Sequence, residues 1–159
     1  MKTMIVSNTG PIIGLSLIGR LEILHNLFES VVIPHEVRSE LVASPHKLRR
    51  FTIPQWISVK KTRSAPDPLL SAVLDGGEAA VIHLARHRGI DEVLIDERKG
   101  RKVAHSVYGL KVVGTAGVLI RAKQHALVDN VGALLKEMKL MGYWIHDDII
   151  AAAVQAAGE

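Results

Sequence analysis

Residues 93–102 read Val93-Leu94-Ile95-Asp96-Glu97-Arg98-Lys99-Gly100-Arg101-Lys102. Three apolar β-formers run directly into two acids, and the acids open a basic helix. An unbroken apolar run of this kind reads as a strand buried on both faces, as in a parallel sheet. In an open parallel α/β sheet, ligands gather outside the carboxyl ends of the strands. Asp96 and Glu97 therefore fall where such a sheet does its chemistry, provided the rest of the chain supplies more strands of the same kind.

Working outward, it does. Met4-Ile5-Val6 reads as a short strand, and Ser7-Asn8-Thr9-Gly10-Pro11 as the turn after it. Asn8 or Thr9 can cap the apolar helix that follows, and Pro11 suits its first turn. Gly19 breaks that helix, and Leu21, Leu24, Leu27 and Phe28 give helical spacing to a second segment. Val31-Val32-Ile33 is a further buried strand, ended by Pro34, with a helix through Glu36, Glu40 and Leu41. Residues 43–74 are the least regular stretch. They hold Pro45, Pro54, Pro66 and Pro68 and two basic clusters, Lys47, Arg49, Arg50 and then Lys60, Lys61, Arg63. Within this surface excursion 57–59 suits a short edge strand. Asp75-Gly76-Gly77-Glu78 starts a helix that stops at Gly89, with Asp75 and Glu78 spaced as a variant capping box. A helix is predicted over 97–108, closed by Gly109, and a strand over 111–113. Thr115 is placed to cap the helix over 116–126. Another helix spans 129–141 and stops at Gly142, and Asp147 and Asp148 open a last one through 156. Strands alternating with helices predict an α/β fold: a three-layer α/β/α sandwich around a central, mainly parallel sheet. The 159 residues suit a single domain over 1–159.

Composition narrows the function. Hydrophobic residues make up 48% of the chain, enough for a real core. There is no cysteine, which excludes a disulfide framework and a thiolate metal site. No leader is apparent and no apolar run reaches the roughly 18 residues of a membrane span, so no membrane partner and a cytoplasmic location are expected. The formal net charge of +4 is compatible with a polyanionic partner. Aromatics at 4% argue against a base-stacking platform.

Asn8, Glu40, Glu78 and Asp96 with Glu97 fall at strand ends or in the following helices. Clustered carboxylates repel unless something neutralises them. Hard divalent cations do so, Mg2+ with one or two carboxylates, waters and substrate phosphates. Such ions activate water for phosphodiester hydrolysis without cysteine, histidine or a cofactor loop. Each residue also has a plainer reading: Glu78 and Asp96 as helix caps, Glu40 as a solvated helix residue, Asn8 as a turn residue. The ordered set is more telling than any member. His83 and His87 have i,i+4 spacing but lack the metalloprotease glutamate between them. Residues 14–20 have P-loop spacing but carry Arg20 where lysine is needed. No serine-nucleophile elbow surrounds Ser71 or Ser106.

The chain resembles the PIN-domain superfamily, in particular small VapC-like toxin ribonucleases. The resemblance rests on Val6-Ser7-Asn8-Thr9-Gly10-Pro11-Ile12-Ile13, on Ile33-Pro34-His35-Glu36-Val37-Arg38-Ser39-Glu40-Leu41, and on Leu74-Asp75-Gly76-Gly77-Glu78-Ala79-Ala80. The stretch from Ile95 to Arg101 and Val113-Gly114-Thr115-Ala116-Gly117-Val118-Leu119 complete it. It implies a Rossmann-like sandwich and Mg2+- or Mn2+-dependent cleavage of single-stranded RNA. A cognate antitoxin and a homodimer are the implied partners; the apolar helices over 12–28 offer surface for the dimer, although periodicity alone does not tell core from interface. Carried across, the family's first acid falls on Asn8, its helix glutamate on Glu40, its mid-chain acid on Glu78 and its late aspartate on Asp96, with Glu97 assisting the metal. A further acid of some members meets Thr115. Asn8 keeps a carbonyl ligand without the charge, while Thr9 and Thr115 are auxiliary. Arg98, Lys99, Arg101 and Lys102 are placed to hold RNA phosphates, or else form a solvated basic face. The alternative function is a PIN-like module, catalytically weakened at Asn8, that binds RNA or a partner protein.

Overall fold

A computed structural model describes residues 2–43 and 51–159. The basic cluster Lys47, Arg49 and Arg50, and Pro45, lie outside the described residues. Five strands form one all-parallel sheet: β1 (Met4–Ser7), β2 (Ser30–Pro34), β3 (Ile57–Lys60), β4 (Glu92–Leu94) and β5 (Lys111–Val113), in the order β3-β2-β1-β4-β5. The apolar runs explain that order. Ile5, Val6, Val31, Val32, Ile33, Val93 and Leu94 are all buried, as central strands covered on both faces must be. At the β3 edge only Ile57 is buried, while Val59 and Lys60 face solvent.

The helices are α1 (Thr9–Leu17), α2 (Glu22–Leu27), α3 (His35–Val42), α4 (Pro68–Val73), α5 (Gly76–Arg88), α6 (Arg98–Lys102), α7 (Thr115–Gln124), α8 (Val131–Leu140) and α9 (Asp147–Ala156). They flank the sheet on both sides. Helix α5 packs on β1, β2 and β4, while α7 packs on α2, α8, α9 and β5. The result is the α/β sandwich expected from the alternation of elements. Among the described residues no helix is long and apolar enough to cross a membrane.

Several local expectations need correction. The helix predicted over 97–108 is divided: α6 gives way to a π-helical turn, Val103–Val107. That wider turn closes through Gly109 N–H on His105 O and Leu110 N–H on Ala104 O, and it drops Leu110 into the core ahead of β5. Thr115 does not cap the next helix; Gly114 holds the cap position and Thr115 is the first helical residue. Helix α4 lies inside the stretch that reads as irregular, where Asp67 caps it through Leu69 N–H at 2.9 Å. Much of the apolar surface over 12–28 is used within the chain: Ile12, Leu15, Ile23, Leu24 and Phe28 are buried in the core.

Candidate functional site

The chain runs from β1 through β2 to β3 in one direction, then returns to place β4 on the other side of β1. The order therefore reverses between β1 and β4, which is where open parallel sheets leave a crevice. Asn8 follows β1 and its N–H donates to Leu94 O at 2.9 Å. Ile95 and Asp96 follow β4, and Ile95 N–H donates to Val113 O at 3.0 Å. Glu78 enters from the first turn of α5 and Glu40 from α3.

Asp96 is the most constrained of these groups. Thr115 donates to it twice, from its N–H to Oδ1 at 2.6 Å and from its hydroxyl to Oδ2 at 2.5 Å. The Tyr143 hydroxyl also donates to Oδ2. Asp96 is thus no helix cap. Glu97 takes that role for α6, accepting from Gly100 N–H at 2.8 Å. Burial alone would raise the Glu97 carboxyl. The Gly100 N–H, a hydrogen bond with Glu78 and the Lys99 N–H outweigh it and hold the group below its usual value.

Glu78 is 5% exposed. Its N–H is capped by Asp75 Oδ1 at 2.8 Å, as the capping-box spacing predicts. Its side chain does more than complete a cap. Burial first, then hydrogen bonding and repulsion from Asp75 and Glu97, push its carboxyl up to about 9. Its Oε2 is buried without a hydrogen-bond partner, and so is Asn8 Oδ1, although Asn8 occupies the cap position of α1. Glycine makes room for these acids. A side chain at Gly100 would collide with Glu78 Oε2, and one at Gly77 would come within 2.5 Å of Glu40 Oε1.

Glu40 Oε2 accepts from the Thr9 hydroxyl at 2.5 Å. The polar groups therefore form three neighbouring sets: Thr9 with Glu40, Asp75 with Glu78 and Glu97, and Thr115 and Tyr143 with Asp96. Among the described residues no three acids or histidines are close enough to hold one ion together. That includes His83 and His87, whose rings lie 5.7 Å apart, with His83 Nε2 3.1 Å from Ser64 O. The donor chemistry nevertheless suits a hard cation. Two of the candidate ligand oxygens, Asn8 Oδ1 and Glu78 Oε2, are buried without partners, all candidate ligands are oxygen atoms, and a cation would displace the proton that Glu78 otherwise keeps.

On α6, Arg98, Lys99 and Lys102 are exposed. Arg101 is half-buried and turns back, donating to Ile95 O at 3.0 Å beside Gly114. Tyr143 is the site residue that sequence reasoning misses, because it lies 47 positions from Asp96. Its only trace in the sequence is the Gly10 and Gly14 pair on one face of α1, against which its ring packs.

A family model for the PIN domain matches residues 4–159. No curated protein and no solved structure matches the chain.

Proposed function

Because the chain belongs to the PIN-domain family, we propose that it is a divalent-metal-dependent endoribonuclease, hydrolysing phosphodiester bonds in single-stranded RNA as the toxin of a toxin–antitoxin pair. PIN domains are generally nucleases and generally use divalent metals. The observation that carries the reading is the pair of buried, unpartnered oxygens, Asn8 Oδ1 and Glu78 Oε2, at the edge where Asp96 leaves β4. Leaving such atoms without a partner costs about 1–3 kcal/mol each. A bound Mg2+ or Mn2+ ion would supply that partner.

Glu40, Glu78, Asp96 and Glu97 are the candidate ligands, no more than two of them on any one ion, with Asn8 as a neutral ligand. Mg2+ keeps several waters of its own, so it does not need a closed cage of acids. When bound, the cation polarises the phosphodiester and stabilises the charge that develops on it. Thr115 keeps Asp96 oriented, and Thr9 does the same for Glu40. Arg98 and Lys102 face solvent and would hold RNA phosphates, with Arg101 offering its remaining guanidinium nitrogens. Binding would then be salt-sensitive and blind to sequence. A homodimer and a cognate antitoxin complete this reading.

A second reading has its own observation. Asn8 and Thr115 are neutral, and the remaining acids are shared among separate hydrogen-bonded sets. That favours a weakened PIN module which binds RNA or a partner protein without cutting. Cleavage of single-stranded RNA with Mn2+ or Mg2+, against chelator, separates the two. Metal-dependent cutting that disappears in Asp96→Asn is the expected result. Equal cutting by that variant would remove Asp96 from the site. Failure of both proteins to cut, with activity appearing in Asn8→Asp, would establish the binding module.

A further inference from the structure

Tyr143 reaches Asp96 through three anchors. Gly142, with φ +102°, turns the chain after α8, and Tyr143 N–H donates to Met138 O at 3.1 Å. The ring then lies along the glycine face of α1. A Cβ on Gly14 would come within 3.0 Å of the ring, and one on Gly10 within 2.8 Å of the hydroxyl. The hydroxyl is delivered to Asp96 Oδ2, which already accepts from the Thr115 hydroxyl.

An ionised carboxylate has about four acceptor positions, two on each oxygen. On Asp96 the two hydroxyls take both positions of Oδ2, and Thr115 N–H takes one of Oδ1. One position remains, on Oδ1. A carboxylate in that state can meet a cation through one oxygen only. Small octahedral ions accept such a ligand, whereas Ca2+, with six to eight oxygen ligands, gains from carboxylates that can bind through both. We infer that Tyr143 is a positioning residue and sets ion preference: by occupying Oδ2 of Asp96 it biases the site toward Mg2+ and Mn2+ and against Ca2+. The inference rests on the nuclease reading for the presence of a cation site, and concerns which ion that site prefers.

Calorimetric titration with MnCl2 and with CaCl2, at one fixed pH, tests it on wild type, Tyr143→Phe, Gly10→Ala and Asp96→Asn. Tyr143→Phe keeps the ring in its slot and opens one acceptor position on Oδ2, the other staying with the Thr115 hydroxyl. Gly10→Ala keeps the phenol and displaces its hydroxyl. Both should shift the Ca2+ to Mn2+ affinity ratio toward Ca2+ by about tenfold, equivalent to ~1.4 kcal/mol. Asp96→Asn should weaken both ions. Unchanged ratios in both variants, with Mn2+ bound by wild type, would overturn the role of Tyr143 and leave the nuclease reading standing. Wild type that binds neither ion would overturn both.

Discussion

Glu78 offers the sharpest test of the site, because its burial has a measurable consequence without any substrate. In the folded, metal-free chain its carboxyl is pushed up to about 9, while an unfolded glutamate titrates near 4.5. Between those values the folded state holds a proton that the unfolded state has released. The folded state binds more protons, so stability must fall as pH rises. The contribution is fully present below 4.5 and is lost as pH climbs toward 9. One such proton is worth at most about 1.4 kcal/mol per pH unit, hence about 4 kcal/mol between pH 5 and pH 8. That is a large share of the roughly 5–15 kcal/mol that holds a domain folded.

Glu78→Gln removes the titration but keeps a group that can donate to Asp75 and Glu97 as the protonated acid does. Urea unfolding in the presence of chelator, repeated across that range, gives the free energy of each protein by linear extrapolation. The two proteins should be similar near pH 5, and the variant should be the more stable by pH 8. Every other titratable group is common to both proteins and cancels in the difference. Glu97 does not intrude either. Its carboxyl is held low, so its contribution is present above the usual carboxylate value and is lost only as pH falls below it. Added Mn2+ should flatten the wild-type slope by taking the place of the proton, and at about a hundred times its dissociation constant should add roughly 2.7 kcal/mol. A difference between wild type and variant that stays constant from pH 5 to pH 8 would mean that Glu78 is ionised in the folded chain, and the argument for a proton-to-cation exchange there would fail.

Gly100→Ala should destabilise the fold and weaken Mn2+ binding together, because the new methyl meets Glu78 Oε2 and lies 3.1 Å from Ile95 Cγ2. Overpacking of that kind costs about 1–3 kcal/mol, more than the roughly 1 kcal/mol that alanine returns in helix propensity; thermal unfolding with and without Mn2+ measures both effects. Glu159→Gln should lower the melting temperature near neutral pH but not near pH 2. Its carboxylate accepts from Gly132 N–H at 2.9 Å and Val131 N–H at 2.6 Å and pairs with Lys123 at 2.9 Å, which hold its carboxyl down to about 2. That stabilisation is present above 4.5 and is lost as pH falls through the low value, so a variant with unchanged melting behaviour across the range would refute the clamp.

The amino-acid sequence by itself determined the fold class and the strand ends and helices at which the candidate site residues lie. Apolar runs such as 31–33 and 93–95 are strand signals of the shortest range, and each ends in a residue whose neighbours in sequence already place it at a strand end. Asp75 before Glu78 is a local cap, legible from spacing of three. The β3 edge strand could be read for the same reason. Tertiary structure decided what depends on contacts between distant segments. The capping role passed from Asp96 to Glu97 because Thr115, brought alongside by the pairing of β4 with β5, claims the Asp96 carboxylate. Ile12, Leu15, Ile23, Leu24 and Phe28 joined the core because the sheet and neighbouring helices cover them, which no periodicity can foretell. Tyr143 reached the site because two glycines one helical turn apart leave a slot exactly where the turn after α8 delivers a ring, and hydrogen bonds across 47 residues leave no pattern in the chain that makes them.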